Sequence, residues 1–303
     1  MAELRNRSEI LFLYDVTDAN PNGDPVDENK PRIDEETGVN IVTDVRLKRT
    51  IRDYLYEYKG QEVFIREIRE ENGELKTKEK RLGEFKDTAE LIGKCIDIRL
   101  FGATTAVEKK TMVLTGPVQF KFGRSLHKVD LTYIKGTTVM PSAAGKAQGT
   151  FTEKYILPYS LIGFYGIVNE NAAKVQDIPL TEEDVDLMLE AMWHGTKDLI
   201  SGSKFGQMPR LLLQVVHKPD SYFYIGELDK RIKLISDVED EKIRNVSEVK
   251  IDVSELSKAL EENNEKIEKI RYMKDERLTL VRDGRDIHIQ EIVRDIPLEE
   301  LNF

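Results

Sequence analysis

The first clear pattern in the chain is an apolar run, Ile10-Leu11-Phe12-Leu13-Tyr14, in which neither set of alternate positions is polar. A strand with apolar residues on both faces must be covered on both, so residues 9–16 are predicted as a buried strand. The run stops at Asp18-Ala-Asn-Pro-Asn-Gly-Asp-Pro25, which is turn chemistry. A helical period follows: in VTDVRLKRTIRDYLYEY, Thr43 or Asp44 can cap, and Leu47, Ile51, Tyr54, Leu55 and Tyr58 form an inner stripe. Arg46, Lys48, Arg49 and Arg52 fall outside that stripe.

Further on, EVFIREIR and LKTKEKR read as a hairpin turning at Glu71-Asn72-Gly73-Glu74, with a helix over residues 84–95. A corner at Phe101-Gly102 precedes a half-exposed strand in which Val118, Phe120 and Phe122 alternate with Gln119, Lys121 and Gly123. Residues 126–159 read as a long arm, because PSAAGKAQGT supplies only small and polar side chains between two strand-like stretches. SLIGFYGIVN is a strand, and Thr181 to Asp184 opens a helix carrying Val185, Met188, Leu189, Met192 and Leu199. RLLLQVVH and YFYIGEL read as strands; beyond residue 236 a charged segment holds a helix at 253–260 and a hairpin at VRDGRDIHI. This order is that of an α+β, ferredoxin-like or RNA-recognition-like sheet with material inserted between its elements.

Composition narrows the function classes. With 40% hydrophobic and 34% charged residues in 303, the chain can bury a sizeable core. It has no long apolar run, and the charged start MAELRNRSE has no hydrophobic stretch behind it, so neither a membrane span nor a secretory signal is expected and the cytoplasm is the expected location. The single cysteine, Cys95, reads as a small buried hydrophobe. His127, His194, His217 and His288 lie far apart with no ligand spacing, so no metal site and no cofactor is expected. Net charge is −10, yet residues 109–154 hold eight basic side chains against two acidic ones. A basic middle in an acidic protein points to a directed polyanion site rather than a sticky surface.

Three readings apply to the opening loop. Asp18-x-Asn20-x-Asn22-Gly23 matches the first half of a calcium loop, but the twelfth position is Asn29 where a glutamate is needed, and a strand leads in where a helix should. Asp15, Asp18 and Asp24 could serve metal-dependent hydrolysis, yet no histidine or lysine stands near them in sequence. The third reading is a rigid loop whose Asn and Asp side chains bond its own backbone.

Taken together, NRSEILFLYDVTDANPNGDP, PRIDEETGVNIVTDVRLKRTIRDYL, IRLFGA, GPVQFKFGRS and KYILPYSLIGFYG resemble, in the same order, the backbone subunit of type I CRISPR Cascade, the Cas-seven family, in its I-B or I-C branch. The resemblance implies an RNA-recognition-like palm over residues 1–236, with a finger-like insertion at about 60–96 and a thumb hairpin at about 126–159. The charged segment 237–303 would complete the domain. It also implies a non-catalytic subunit: copies stack in a helical filament along CRISPR guide RNA, the guide pairs with a target DNA strand, and other Cascade subunits join, with no membrane partner. The RNA-binding positions it implies are Asn20, Asn22, Arg46, Lys48, Arg49, Arg52, Phe101, Gly102, Lys121, Arg124, His127, Lys146, Lys204 and Arg210, with Asp15 and Asp24 holding the loop. VQFKFGRS lacks the aromatic pattern of an RNP motif, so backbone readout is expected rather than stacking on the sheet. The alternatives are a metal-dependent ribonuclease using the NPNGDP loop and a monomeric RNA-binding module.

Overall fold

The computed structural model describes residues 3–107, 110–137 and 151–303. The first strand, β1 (Ser8–Ala19), runs past its predicted end into the opening loop, which holds a short ladder of β2 (Gly23–Asp24) and β3 (Lys30–Pro31). Next come β4 (Val39–Val42) and the helix α1 (Asp44–Glu57). The insertion after it carries α2 (Lys78–Leu82), α3 (Thr88–Lys94), α4 (Ile96–Phe101) and the hairpin β5 (Gly102–Val107) and β6 (Lys110–Thr115). Short strands β7 (Val118–Phe120) and β8 (Gly123–Lys128) lead to the arm strand β9 (Thr132–Thr137) and the long β10 (Phe151–Val168). Then follow α5 (Glu170–Val175), α6 (Glu182–Lys197) and β11 (Met208–His217). The C-terminal part adds β12 (Lys233–Ile235), β13 (Lys250–Asp252), α7 (Ser254–Glu262), β14 (Ile267–Lys274), β15 (Thr279–Arg282), β16 (Arg285–Ile287) and β17 (Leu298–Glu300).

The main sheet has the order β17-β14-β11-β1-β10-β8-β4, with β7 and β9 also pairing with β10. β1 sits between two antiparallel neighbours: Ser8 lies opposite Val168 of β10 and Val216 of β11. Its side chains alternate between two cores. Ile10, Phe12, Tyr14 and Val16 pack with Leu47, Ile51 and Leu55 of α1 and Met188 and Met192 of α6. Leu11 and Leu13 pack with Ile251, Leu256, Leu260 and Leu280 of the C-terminal part. Each such side chain removed from water contributes about 1.5–3 kcal/mol, which is why β1 tolerates no apolar-to-polar alternation. The fold is α+β, with the inserted elements around an RNA-recognition-like sheet. β14 and β17 complete one edge of that sheet, while β12, β13, β15 and β16 form a separate four-stranded sheet.

Helix α1 follows its sequence closely. Thr43 accepts from the Arg46 backbone N–H as N-cap, and Leu47, Ile51, Tyr54 and Leu55 are buried, although Tyr58 is exposed. The helix predicted at 84–95 forms as α3, capped by Asp87 and shorter than expected, while α2, capped by Thr77, takes the place of most of the predicted strand LKTKEKR. VQFKFGRS is broken between β7 and β8, leaving Phe122 exposed. The arm begins later than expected, since β8 pairs with β4 and β10 inside the sheet; β9 and β10 pair from Thr132–Ile156 to Thr137–Phe151. The small-residue tip of the arm, including Lys146, lies outside the described residues. At VRDGRDIHI the hairpin forms, with Asp283 and Gly284 both at positive φ as a two-residue turn requires.

Two predicted strands are absent for the same physical reason: a buried carboxylate takes their backbone donors. In EVFIREIR, Phe64 N and Ile65 N donate to Asp97 at 2.7 and 3.1 Å, and the hairpin is reduced to its turn and one bridge, Arg69–Leu75. In YFYIGEL, Ile225 N and Gly226 N donate to Glu9 at 2.6 and 2.8 Å, and Tyr222 takes φ +49°. Glu9 also accepts from the Tyr165 hydroxyl at 2.6 Å and faces His217 Nε2 at 2.9 Å. Burial alone would raise the Glu9 pKa, but these hydrogen bonds outweigh it and hold the carboxyl below its ordinary value.

Two predictions follow from these anchors. Arg52 donates to Asp97 at 2.9 Å with both side chains buried, so Arg52→Ala leaves an uncompensated charge and lowers unfolding stability by about 3–5 kcal/mol in a urea titration. A loss under 1 kcal/mol would show that the pair is not a structural anchor. For Glu9, a folded pKa below the ordinary 4.5 means its stabilisation is fully present above that value and is lost as pH falls through the folded pKa. The stability gap between wild type and Glu9→Gln should therefore be constant at neutral pH and close on acidification below the ordinary carboxylate range. A gap that widens there would reverse the assigned direction.

Candidate nucleic-acid interface

The opening loop is built by its own side chains. Asn22 Oδ1 accepts from both the backbone N–H and the hydroxyl of Thr43 at 3.0 and 2.9 Å, fixing the start of α1. Asn20 Nδ2 donates to Asn29 O at 2.6 Å, and its backbone N–H donates to Ser203 O at 2.7 Å. Both side chains are largely buried, and these bonds shape the loop. Asp24 does hold the loop, accepting from the Val26 N–H and from Arg32. Asp15 holds the sheet: it accepts from Arg210 Nε and the Tyr159 hydroxyl, both at 2.9 Å. Burial raises its pKa, and Arg210 only partly offsets that. Asp15, Asp18 and Asp24 thus have separate surroundings, and among the described residues no three His, Cys, Asp or Glu side chains come together to hold a metal ion.

Three of the cations expected to face a polyanion are committed inside the molecule. Arg52 is spent on Asp97, and its guanidinium lies over the Phe101 ring. Lys48 is buried, donating to Asp44 at 2.9 Å and Gln119 at 3.2 Å. Arg210 bridges Asp15 and Asp275 within the sheet. Because an unpaired charge in the interior is so costly, Arg52 and Arg210 went to carboxylates distant in sequence and Lys48 to Asp44 one helical turn away. Phe101 is buried, and Gly102 is required sterically: a Cβ there would lie 2.1 Å from Leu114 O. His127 is enclosed too, with Nδ1 2.7 Å from Lys128 O and Nε2 accepting from Leu161 N, and desolvation lowers its pKa. A neutral ring with both nitrogens engaged has no free contact to offer.

The outward cations divide into two kinds. Arg49, Lys121 and Arg124 are exposed but face carboxylates: Asp53 at 2.7 Å, Glu227 at 3.3 Å and Asp34 at 3.1 Å. Such exposed pairs hold together by about 0–1 kcal/mol, so a polyanion can displace them. Arg46 and Lys204 differ, for among the described residues neither has a carboxylate within ion-pair distance. Arg46 bonds only Thr50 through Nη2 at 3.0 Å, and its Nε is buried without a partner. Desolvation lowers the pKa of both, and Lys204 is lowered further by repulsion from Arg46. Two half-buried positive charges that repel each other store electrostatic energy that an anion would release.

Three parts of the chain meet where these cations sit. Arg46 comes from the first turn of α1, Lys204 from the loop entering β11, and the opening loop contacts that same loop through Asn20 and Ser203. The base of the arm reaches it as well: Lys154 Nζ donates to Gly202 O at 3.1 Å, and a cleft of about 160 Å³ is bordered by Asn20, Glu28, Tyr155 and Ser203. Of the positions expected from sequence, Arg46 and Lys204 lie at this junction; the buried Glu9, whose signal was a lone charged residue heading an apolar run, was not among them.

Comparison with known proteins accords with this arrangement. A family model described as CRISPR-associated protein Cas7 matches residues 6–254. A "CRISPR-associated protein Cas7" of Haloferax volcanii is 33% identical over 307 residues, covering 91% of this chain and 88% of that protein. Among solved structures, a chain of a "CRISPR RNA-guided surveillance complex" superposes with TM-score 0.54 at 16% identity, over 95% of this chain and 94% of its own. A second, from such a complex in a "pre-nicking" state, gives 0.58 at 14% identity, over 94% of this chain and 98% of its own. These two show the fold; with the family match and the curated relative, the chain belongs to the Cas7 family of CRISPR-associated proteins.

Proposed function

We propose that this chain is a non-catalytic guide-RNA-binding subunit of a Cascade-type complex, of the I-B or I-C branch, that assembles in several copies along CRISPR RNA and presents it for pairing with a target DNA strand. Its partners on this reading are the guide, further copies of itself and other subunits of the complex. The observation that carries the reading is the pair Arg46 and Lys204, neither with a carboxylate in ion-pair distance among the described residues, at the junction of opening loop, helix, arm base and sheet. Phosphate oxygens supply what those groups lack. Arg124 and Lys121 extend the positive surface, exchanging weak carboxylate partners for phosphates. Sequence would be read by the guide's own base pairing rather than by the protein.

The commitment of Asp15 to Arg210 and Tyr159 and of Asp24 to Arg32 and the loop backbone favours this reading over a metal-dependent ribonuclease. Assembly in copies is favoured over a monomeric module by the arm, which exposes Leu131, Tyr133, Ile134 and Phe151 well away from either core. An arm with apolar residues and no core of its own stands to gain from a neighbour.

Purified protein should carry or bind single-stranded RNA. Arg46→Ala with Lys204→Ala should flatten the plot of log affinity against log salt by about 1.4, from about 0.7 per lost phosphate contact on a single strand. An unchanged slope would remove these residues from the interface, and magnesium-dependent RNA cleavage would contradict a non-catalytic role. For the arm, Tyr133→Ser with Phe151→Ser should leave the unfolding midpoint unchanged. Light scattering should show smaller assemblies on long RNA than wild type forms. Assemblies of wild-type size would mean the arm does not join the copies.

A further inference from the structure

The loop between α6 and β11, residues 198–207, carries two large apolar side chains that the cores do not use: Ile200 is 83% exposed and Phe205 is 70% exposed. Scattered exposed hydrophobics are ordinary on a protein surface, and Phe205 would need no account if it stood alone. It does not stand alone. Its chain neighbour is Lys204, whose ammonium is half-buried, close enough to Arg46 to be repelled by it, and hydrogen-bonded, among the described residues, to the Ser203 hydroxyl at 3.3 Å.

The loop that presents the ring is tied down on several sides. Ser203 O accepts from Asn20 N at 2.7 Å, and Gly202 O accepts from Lys154 Nζ at 3.1 Å. Lys204 N and Phe205 N both turn back onto Ser201 O, at 3.3 and 3.1 Å, and Gly206 takes φ +92° to swing the chain into β11. Gln207, two residues past the ring, is already buried. A large apolar ring is therefore held in water by a tethered loop, next in sequence to Lys204, which has no carboxylate within ion-pair distance among the described residues. A folded chain with no use for that ring would gain by covering it.

Aromatic faces interleaved with unpaired cations are the arrangement that binds single-stranded nucleic acid: cations take the phosphates, and the ring takes the face of a base. Resting on the RNA-binding reading above, we propose that Phe205 is a stacking platform for one base of the strand whose phosphates Arg46 and Lys204 hold. Phe205 has no hydrogen-bonding group, so the contact tolerates any base, which suits a subunit that must accept guides of any sequence. The expected absence of stacking on the sheet itself is unaffected, because this ring comes from a loop at the strand end and not from a sheet face. An apolar contact with a second copy is the competing use of the same ring, and the adjacent cations favour the nucleic acid.

The test is binding of a short single-stranded homopolymeric RNA to full-length variants at position 205. Phe205→Ala should weaken binding about 5- to 150-fold, the range for losing one stacked base, with an unchanged salt slope and unfolding midpoint. Phe205→Leu should fare no better, whereas Phe205→Tyr and Phe205→Trp should restore affinity. The only native tryptophan, Trp193, is buried, so a new indole at 205 should report RNA by its own quenching. Wild-type affinity in Phe205→Ala, or full affinity in Phe205→Leu, overturns the proposal. So does a defect confined to self-association without RNA, which assigns the ring to a protein contact. If wild type binds no RNA, the RNA-binding reading falls first; if it binds and Phe205→Ala binds equally, only the stacking proposal falls.

Discussion

Everything in this molecule is arranged around a strand that has no free edge and no free face. β1 is hydrogen-bonded to β10 on one side and β11 on the other, with helices covering one face and the C-terminal elements the other. From Ser8 to Val16 a polar group on this strand cannot reach water, so each one must be met by a partner inside. Glu9 and Asp15 are the two carboxylates there. Glu9 draws in His217, Tyr165 and the 225–226 backbone, while Asp15 draws in Arg210 and Tyr159. Each carboxylate thereby fixes a segment that lies far away in sequence.

The same accounting explains why the positive surface is smaller than the count of basic residues implies. Arg52, Lys48 and Arg210 neutralise interior carboxylates, and Arg99 does the same for Asp184. What remains outward is a set of weakly paired cations and, at the junction of loop, helix and sheet, two that have no carboxylate among the described residues. An acidic chain can in this way direct a polyanion to one place, since elsewhere its charge repels nucleic acid.

Features set by neighbours in sequence were readable in advance. The double-faced apolar run of β1, the Thr43 cap with the Leu47, Ile51 and Leu55 stripe, and the Asp283-Gly284 turn all formed as the residues dictate. Features set by long-range partners were not. Nothing near Arg52 announces Asp97, 45 residues on, and Asp15 and Arg210 stand 195 residues apart. Strand propensity in EVFIREIR and YFYIGEL was overridden because a buried carboxylate binds a backbone N–H more strongly than a neighbouring strand does. The family resemblance pointed to helix α1, yet could not distinguish structural cations such as Lys48 from exposed ones such as Arg49, because both stand on the same helix one residue apart.

The central claim is that copies of this chain hold one RNA by its backbone in a repeating register. Nuclease footprinting of a long end-labelled single-stranded RNA saturated with purified protein tests this most directly. The account predicts accessible nucleotides recurring at one fixed spacing over the whole length, whatever the RNA sequence, with the number of bound copies growing in proportion to that length. Protection confined to one site, or scattered protection without a repeat, would contradict it.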